Sequence, residues 1–113
     1  MKADLVRRCA LSLPEAVEAP HFDYASFRIG GKIFATMPPD GAHLHVFVGE
    51  EQRETALALH PGFIGKLFWG QKACGLRIAL GKASPSVVEA LLRQAWAQRA
   101  PKRLLDRPLQ ERL

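Results

Sequence analysis

A chain of 113 residues has room for one domain with a buried core and none for a second. Hydrophobic residues at 48% and charged residues at 24% are an ordinary globular balance, which excludes a disordered low-complexity chain, and no apolar run approaches the ~20 residues of a membrane span. The formal net charge of +5 is uneven: from residue 99 onward five cations face two carboxylates, a net of +3, so a basic tail over about 101–113 suits an anionic partner. The early charges Lys2, Asp4, Arg7 and Arg8 do not fit a secretory signal, and a soluble cytoplasmic protein is expected.

The pattern predicts a first helix over residues 3–13, with Leu5, Cys9 and Leu13 on one stripe beside Val6 and Ala10, stopped by Pro14. An acidic segment follows, with a short strand near Val17 to Pro20. The stretch from Phe27 to Phe34 then carries two apolar runs around Gly30-Gly31. A two-residue type I′ turn needs positive φ at both centres, which residues without a Cβ adopt freely, so this is a tight β-hairpin. With Gly30-Gly31 as the whole loop, Ile29 faces Lys32, Arg28 faces Ile33 and Phe27 faces Phe34. One face then holds Phe27, Ile29 and Phe34, and the other holds Tyr24, Arg28, Ile33, Ala35 and Met37. Pro38-Pro39-Asp40-Gly41 marks a further turn, and His43 to Val48 alternates as a strand with Leu44, Val46 and Val48 on one side.

Glu50 to Leu59 reads as a helix with acidic residues in its first turn, where the dipole favours them, ended by His60-Pro61-Gly62. Residues 63–73 read as irregular, and Leu76 to Leu80 as a strand. A last helix begins at Ser84-Pro85, a cap followed by a first-turn proline, and aligns Val88, Leu91, Leu92, Ala95 and Trp96 before Ala100-Pro101. Another helical turn is expected over Lys102 to Asp106. The order α-β-β-β-β-α-β-α predicts an α+β two-layer sandwich, an antiparallel sheet with its helices on one face. The other face stays open and shows Tyr24, Arg28, His43, His45 and Arg77 among Ile33, Met37 and Phe47.

Catalytic chemistry finds little purchase. No GxSxG elbow, phosphate-binding loop or paired carboxylates are present, and Gly30-Gly31 lies between strands rather than before a helix. His43-x-His45 offers two imidazoles on one strand face, short of the three or four ligands a metal needs, and no metal or cofactor is expected. Cys9 and Cys74 form no CxxC pair and read as two buried thiols. The better case lies in basic residues interleaved with aromatics: Arg28, Lys32, Lys66, Phe68, Trp69, Lys72, Arg77, Lys102 and Arg103. Phe68 and Trp69 also admit core packing under a long loop, the reading their apolar area favours.

Four short pieces in order carry a family resemblance: Ala10-Leu11-Ser12-Leu13-Pro14 before an acidic stretch, Phe27-Arg28-Ile29-Gly30-Gly31-Lys32-Ile33-Phe34-Ala35, Phe68-Trp69-Gly70, and Ala95-Trp96 with Ala100 to Leu104. Together they resemble the MmcQ/YjbR-like proteins. The resemblance implies a CyaY-like α+β fold and a proposed double-wing DNA-binding mode, with the 26–36 hairpin as one wing and the Pro38-to-Ala42 turn tipping another. Ala73-Cys74-Gly75 departs from similar members, which often carry an aromatic after the Trp-Gly. The related frataxin-type iron binding uses an acidic helical ridge, and the first helix here sets only Asp4 against Lys2, Arg7 and Arg8. The expectation is a non-enzymatic DNA-binding protein using Arg28, Lys32, Lys72, Arg77, Lys102 and Arg103. The alternative is a protein- or small-ligand-binding domain using the open face at Tyr24, Met37, His45 and Phe47.

Overall fold

The structure is a computed structural model that describes residues 1–105. Its elements run α1 (Ala3–Leu11), β1 (Val17–His21), β2 (Tyr24–Ile29), β3 (Lys32–Met37), β4 (His43–Val46), α2 (Glu50–Leu59), β5 (Ile64–Trp69), β6 (Lys72–Ala79), α3 (Pro85–Arg99) and α4 (Lys102–Leu105). The strands form one antiparallel sheet in the order β1-β2-β3-β4-β6-β5. Helix α3 lies across β2, β3 and β4, α1 packs on α3, and α2 runs beside β5, which gives the expected α+β layering. The tail beyond residue 105 falls outside the described residues.

Gly30 (φ 57°) and Gly31 (φ 79°) both take the left-handed conformation that a type I′ turn needs. Ile29 pairs with Lys32 and Arg28 with Ile33 as the two-residue loop dictates, but Phe27 pairs with Ala35 rather than Phe34. Phe34 is the extra residue of a β-bulge, so Phe34 and Ala35 both turn to the core opposite Phe27. The extra residue inverts the alternation beyond it. Met37, expected on the open face, is buried in the core, and Thr36 takes the open-face position instead.

The core is continuous between the layers. Phe27, Ile29, Phe34, Leu44, Leu76, Ile78 and Leu80 from the sheet meet Val88, Leu92, Ala95 and Trp96 from α3 and Val6 and Ala10 from α1. Each large side chain so buried contributes about 1.5–3 kcal/mol of transfer free energy. The Trp96 Nε1–H donates to the Pro14 carbonyl (3.0 Å), tying α3 to the chain that leaves α1.

Four local expectations are corrected. The inward stripe of α1 centres on Val6 and Ala10, leaving Leu5 exposed, and the helix ends at Leu11 with Ser12 as its cap. Residues 63–73 contain a full strand, β5, at the sheet edge. Ser84 occupies the N-cap position of α3 but its hydroxyl meets that of Ser86 (3.0 Å) instead of capping. Cys9 and Cys74 are free and only half-buried, and burial together with Glu89 raises the Cys9 thiol pKa.

Candidate nucleic-acid interface

The open face follows from register. One row crosses all six strands as Ala19, Ser26, Thr36, His45, Arg77 and Gly65. Arg28 stands on this face further along β2, where its Nε–H donates to Ser26 Oγ (3.0 Å) and its guanidinium Nη2–H to the Pro20 carbonyl (3.4 Å). Ser26 in turn donates to the Ala19 carbonyl (2.7 Å). These bonds hold the Arg28 stem against the sheet. Arg77 is exposed directly across from His45.

Strand β4 is short, and its brevity shapes the surface. It ends at Val46, whereas β3 continues outward to Lys32 and β6 to Lys72. Lys32 lies three residues beyond the row through Ala35, Val46 and Leu76, and Lys72 lies four residues beyond it, roughly 10–13 Å at strand rise. Two hairpins therefore project from the same end of the sheet, separated by the width of β4, so that β3 and β6 lie about 10 Å apart. Lys32 and Lys72 are both exposed at these tips. The Pro38-to-Ala42 turn sits at the opposite end of β3, so it does not pair with the Gly30-Gly31 tip as a second projection. The partner of that tip is the Gly70-Gln71 turn of β5–β6.

Between the hairpins lies a groove of about 680 Å³. Ile33, Phe47 and Leu67 line it, with Tyr24, Thr36 and His45 at one end, Phe68, Trp69 and Cys74 along the β5–β6 side, and Arg99 of α3. Gly75 sits where β6 closes on the end of β4. A Cβ there would stand 2.4 Å from the Val46 carbonyl oxygen and 3.2 Å from the Phe47 ring, so only glycine lets β6 approach β4 where β4 ends. The lining residues include no Asp or Glu, and their one fixed charge is Arg99.

Two features of this groove were not legible as such in the sequence. Trp69 is 84% exposed and Phe68 56%, against the core packing their apolar area suggested. His45 is 6% exposed, and its Nε2 has no hydrogen-bond partner among the described residues. Burial lowers the His45 pKa, reinforced by the positive charge of Arg77 and by His43 and opposed by Asp40. The Tyr24 ring lies beside it, with centroids 6.2 Å apart.

The remaining candidates divide. Lys102 is exposed on α4. Arg103 is held by Glu15 in a two-pronged ion pair at 2.7 Å for each bond, which raises its pKa, and Lys66 pairs with Glu54 of α2 at 3.1 Å. Phe47 and Tyr24 line the groove as the ligand-face expectation placed them, whereas Met37 is behind the sheet. His43 meets Asp40 at 2.9 Å, and among the described residues no three His, Cys, Asp or Glu side chains gather as a metal cluster. Among the same residues no helix is long and apolar enough to cross a membrane.

A family model named YjbR matches residues 11–98, which take in the sheet, α2 and nearly all of α3. The chain belongs to the YjbR family. The fold of this YjbR-family chain is also that of a solved structure, the Deinococcus radiodurans protein DR2400, described as a DUF419 domain. The two superpose with a TM-score of 0.72 at 22% identity, covering 86% of this chain and 77% of that one. A search of curated proteins found no match.

Proposed function

We propose that this chain is a non-catalytic DNA-binding module whose contact surface is the open sheet face between the β2–β3 and β5–β6 hairpins. The observation that supports the reading is the convergence there of exposed aromatics and of cations without an ion-pair partner among the described residues. Lys32 and Lys72 stand at neighbouring tips, Arg99 in the groove and Arg77 further down β6 in the row through His45, with Trp69 exposed alongside. Cations spaced along a groove neutralise phosphates, and projecting β-ribbons position them. Arg28, pinned to Ser26 and Pro20, presents a fixed charge to the same side, and Lys102 extends the basic surface. Arg103 is committed to Glu15 and takes a lesser part.

The test is DNA affinity as a function of salt. Binding should weaken linearly on logarithmic axes, and Lys32→Ala with Lys72→Ala should reduce the slope by about 0.9 for each lost duplex phosphate contact, or about 0.7 for single strands. Neither residue packs in the core, so the double variant should fold normally. No binding to duplex or single strands at low salt would refute the reading. A second reading, a small-ligand site, is favoured by the groove itself, and it draws on the same open face.

A further inference from the structure

The geometry points to the groove over His45 as a seat for one unpaired nucleotide of a single strand, its base stacked on Trp69 and its phosphates carried by Lys72, Lys32 and Arg99. The inference rests on the nucleic-acid reading and narrows it from DNA in general to a strand with exposed bases. Three independent observations carry it.

The first is shape. A groove of about 680 Å³ floored by Ile33, Phe47 and Leu67 is an apolar slot, wide enough for a planar ring and far too narrow for a duplex. The second is the unmet polar atom inside it. His45 is more than nine-tenths buried at the end of the groove, and its Nε2 is without a hydrogen-bond partner among the described residues. A buried imidazole nitrogen left unpaired costs free energy that a ligand edge recovers. As a neutral ring it has one donor and one acceptor nitrogen, and every nucleobase edge displays donors or acceptors to match. Tyr24, half-buried, stands beside it with ring centroids 6.2 Å apart. The third is charge. The groove is bordered by Arg99, Lys72 and Lys32 with no carboxylate in its lining, which selects a ligand joining an aromatic ring to an anion. Trp69, held outward at a hairpin tip, gives such a ring a stacking surface, an arrangement that single-strand-binding proteins use and that tolerates any base.

Base pairing hides the edge and faces that this groove engages. A short oligothymidylate should therefore bind about tenfold or more tightly than the same strand in a blunt duplex with its complement at equal salt. Thymidine monophosphate should bind far more weakly than the oligomer, because it reaches fewer of the cations. Binding should quench the fluorescence of Trp69, which is distinguishable from Trp96 because the latter is buried in the core. Trp69→Ala removes an exposed ring without touching the core, and it should cost the oligomer about tenfold in affinity, several times what it costs the duplex. His45→Gln, which keeps a hydrogen-bonding amide, should be milder than His45→Ala on the single strand alone. Duplex binding equal to or tighter than single-strand binding, with no effect of Trp69→Ala, would overturn this inference and leave the DNA-binding proposal standing. Mononucleotide binding as tight as the oligomer would also overturn it. Absence of binding to every probe would overturn both.

Discussion

His45 ties stability to pH in a direction fixed by its burial. Its folded pKa is depressed, so between the ordinary histidine value near 6.5 and the lower folded value the unfolded chain binds a proton that the folded chain does not. Its contribution is fully present above about pH 6.5 and is lost as pH falls through the folded value. Urea midpoints measured across that range should fall toward acid more steeply in the native protein than in His45→Gln. At Gly75 the constraint is space rather than charge: Gly75→Ala drives a Cβ into the Val46 carbonyl and should cost about 2–3 kcal/mol by denaturant titration. Gly31→Ala, at φ 79° but with nothing near the added carbon, should cost only about 1 kcal/mol. Phe22 presents the reverse situation, a 91% exposed phenyl ring on a residue with φ 57° at the β1–β2 turn. Phe22→Gly should stabilise the fold by about 1 kcal/mol, and thermal melting would show it.

At the scale of elements, the two hairpins do different amounts of structural work. The β2–β3 hairpin buries Phe27, Ile29, Phe34 and Ala35 and belongs to the core, whereas β5 is an edge strand whose Phe68 and Trp69 are exposed. That contrast explains what the sequence disclosed. Gly30-Gly31 between two apolar runs specifies its turn almost alone, α2 is marked by its acidic first turn and the His60-Pro61-Gly62 stop, and α3 by its first-turn Pro85 and apolar stripe. The bulge at Phe34 has no such signature, because Phe34 and Ala35 are both apolar and either alternation satisfies the pattern. It moved Met37 to the core. Strand β5 escaped notice because Gly65, Lys66, Phe68 and Trp69 are exposed and leave no alternation to read. The groove was invisible for a related reason: it depends on where β4 stops and on α3 bringing Arg99 alongside, which no local pattern records. Element α4 carries its own expectation. Since Glu15 holds Arg103, Arg103→Ala should change the salt slope of DNA binding less than Lys32→Ala does, as paired titrations would reveal.

For the whole molecule, the layers assign the work to one side. Helices α1, α2 and α3 cover one face of the sheet, which leaves the other face open, with the projecting hairpins at one end. The helical side has its own cleft of about 440 Å³ between α2 and α3, lined by Glu51, Gln52, Leu59, Val87 and Gln94, which contains acidic and neutral groups and no Lys or Arg. It serves as an internal control for the placement of any DNA. The match to residues 11–98 shows the family, and the structural match to the DUF419 protein shows the fold. The most direct measurement is a backbone amide chemical-shift titration with a short DNA strand at low salt. The account predicts shifts concentrated at Lys32, Thr36, His45, Trp69, Lys72 and Arg77, with the α2–α3 cleft silent. Shifts centred on Glu51, Leu59 and Gln94, or none anywhere on the open face, would contradict it.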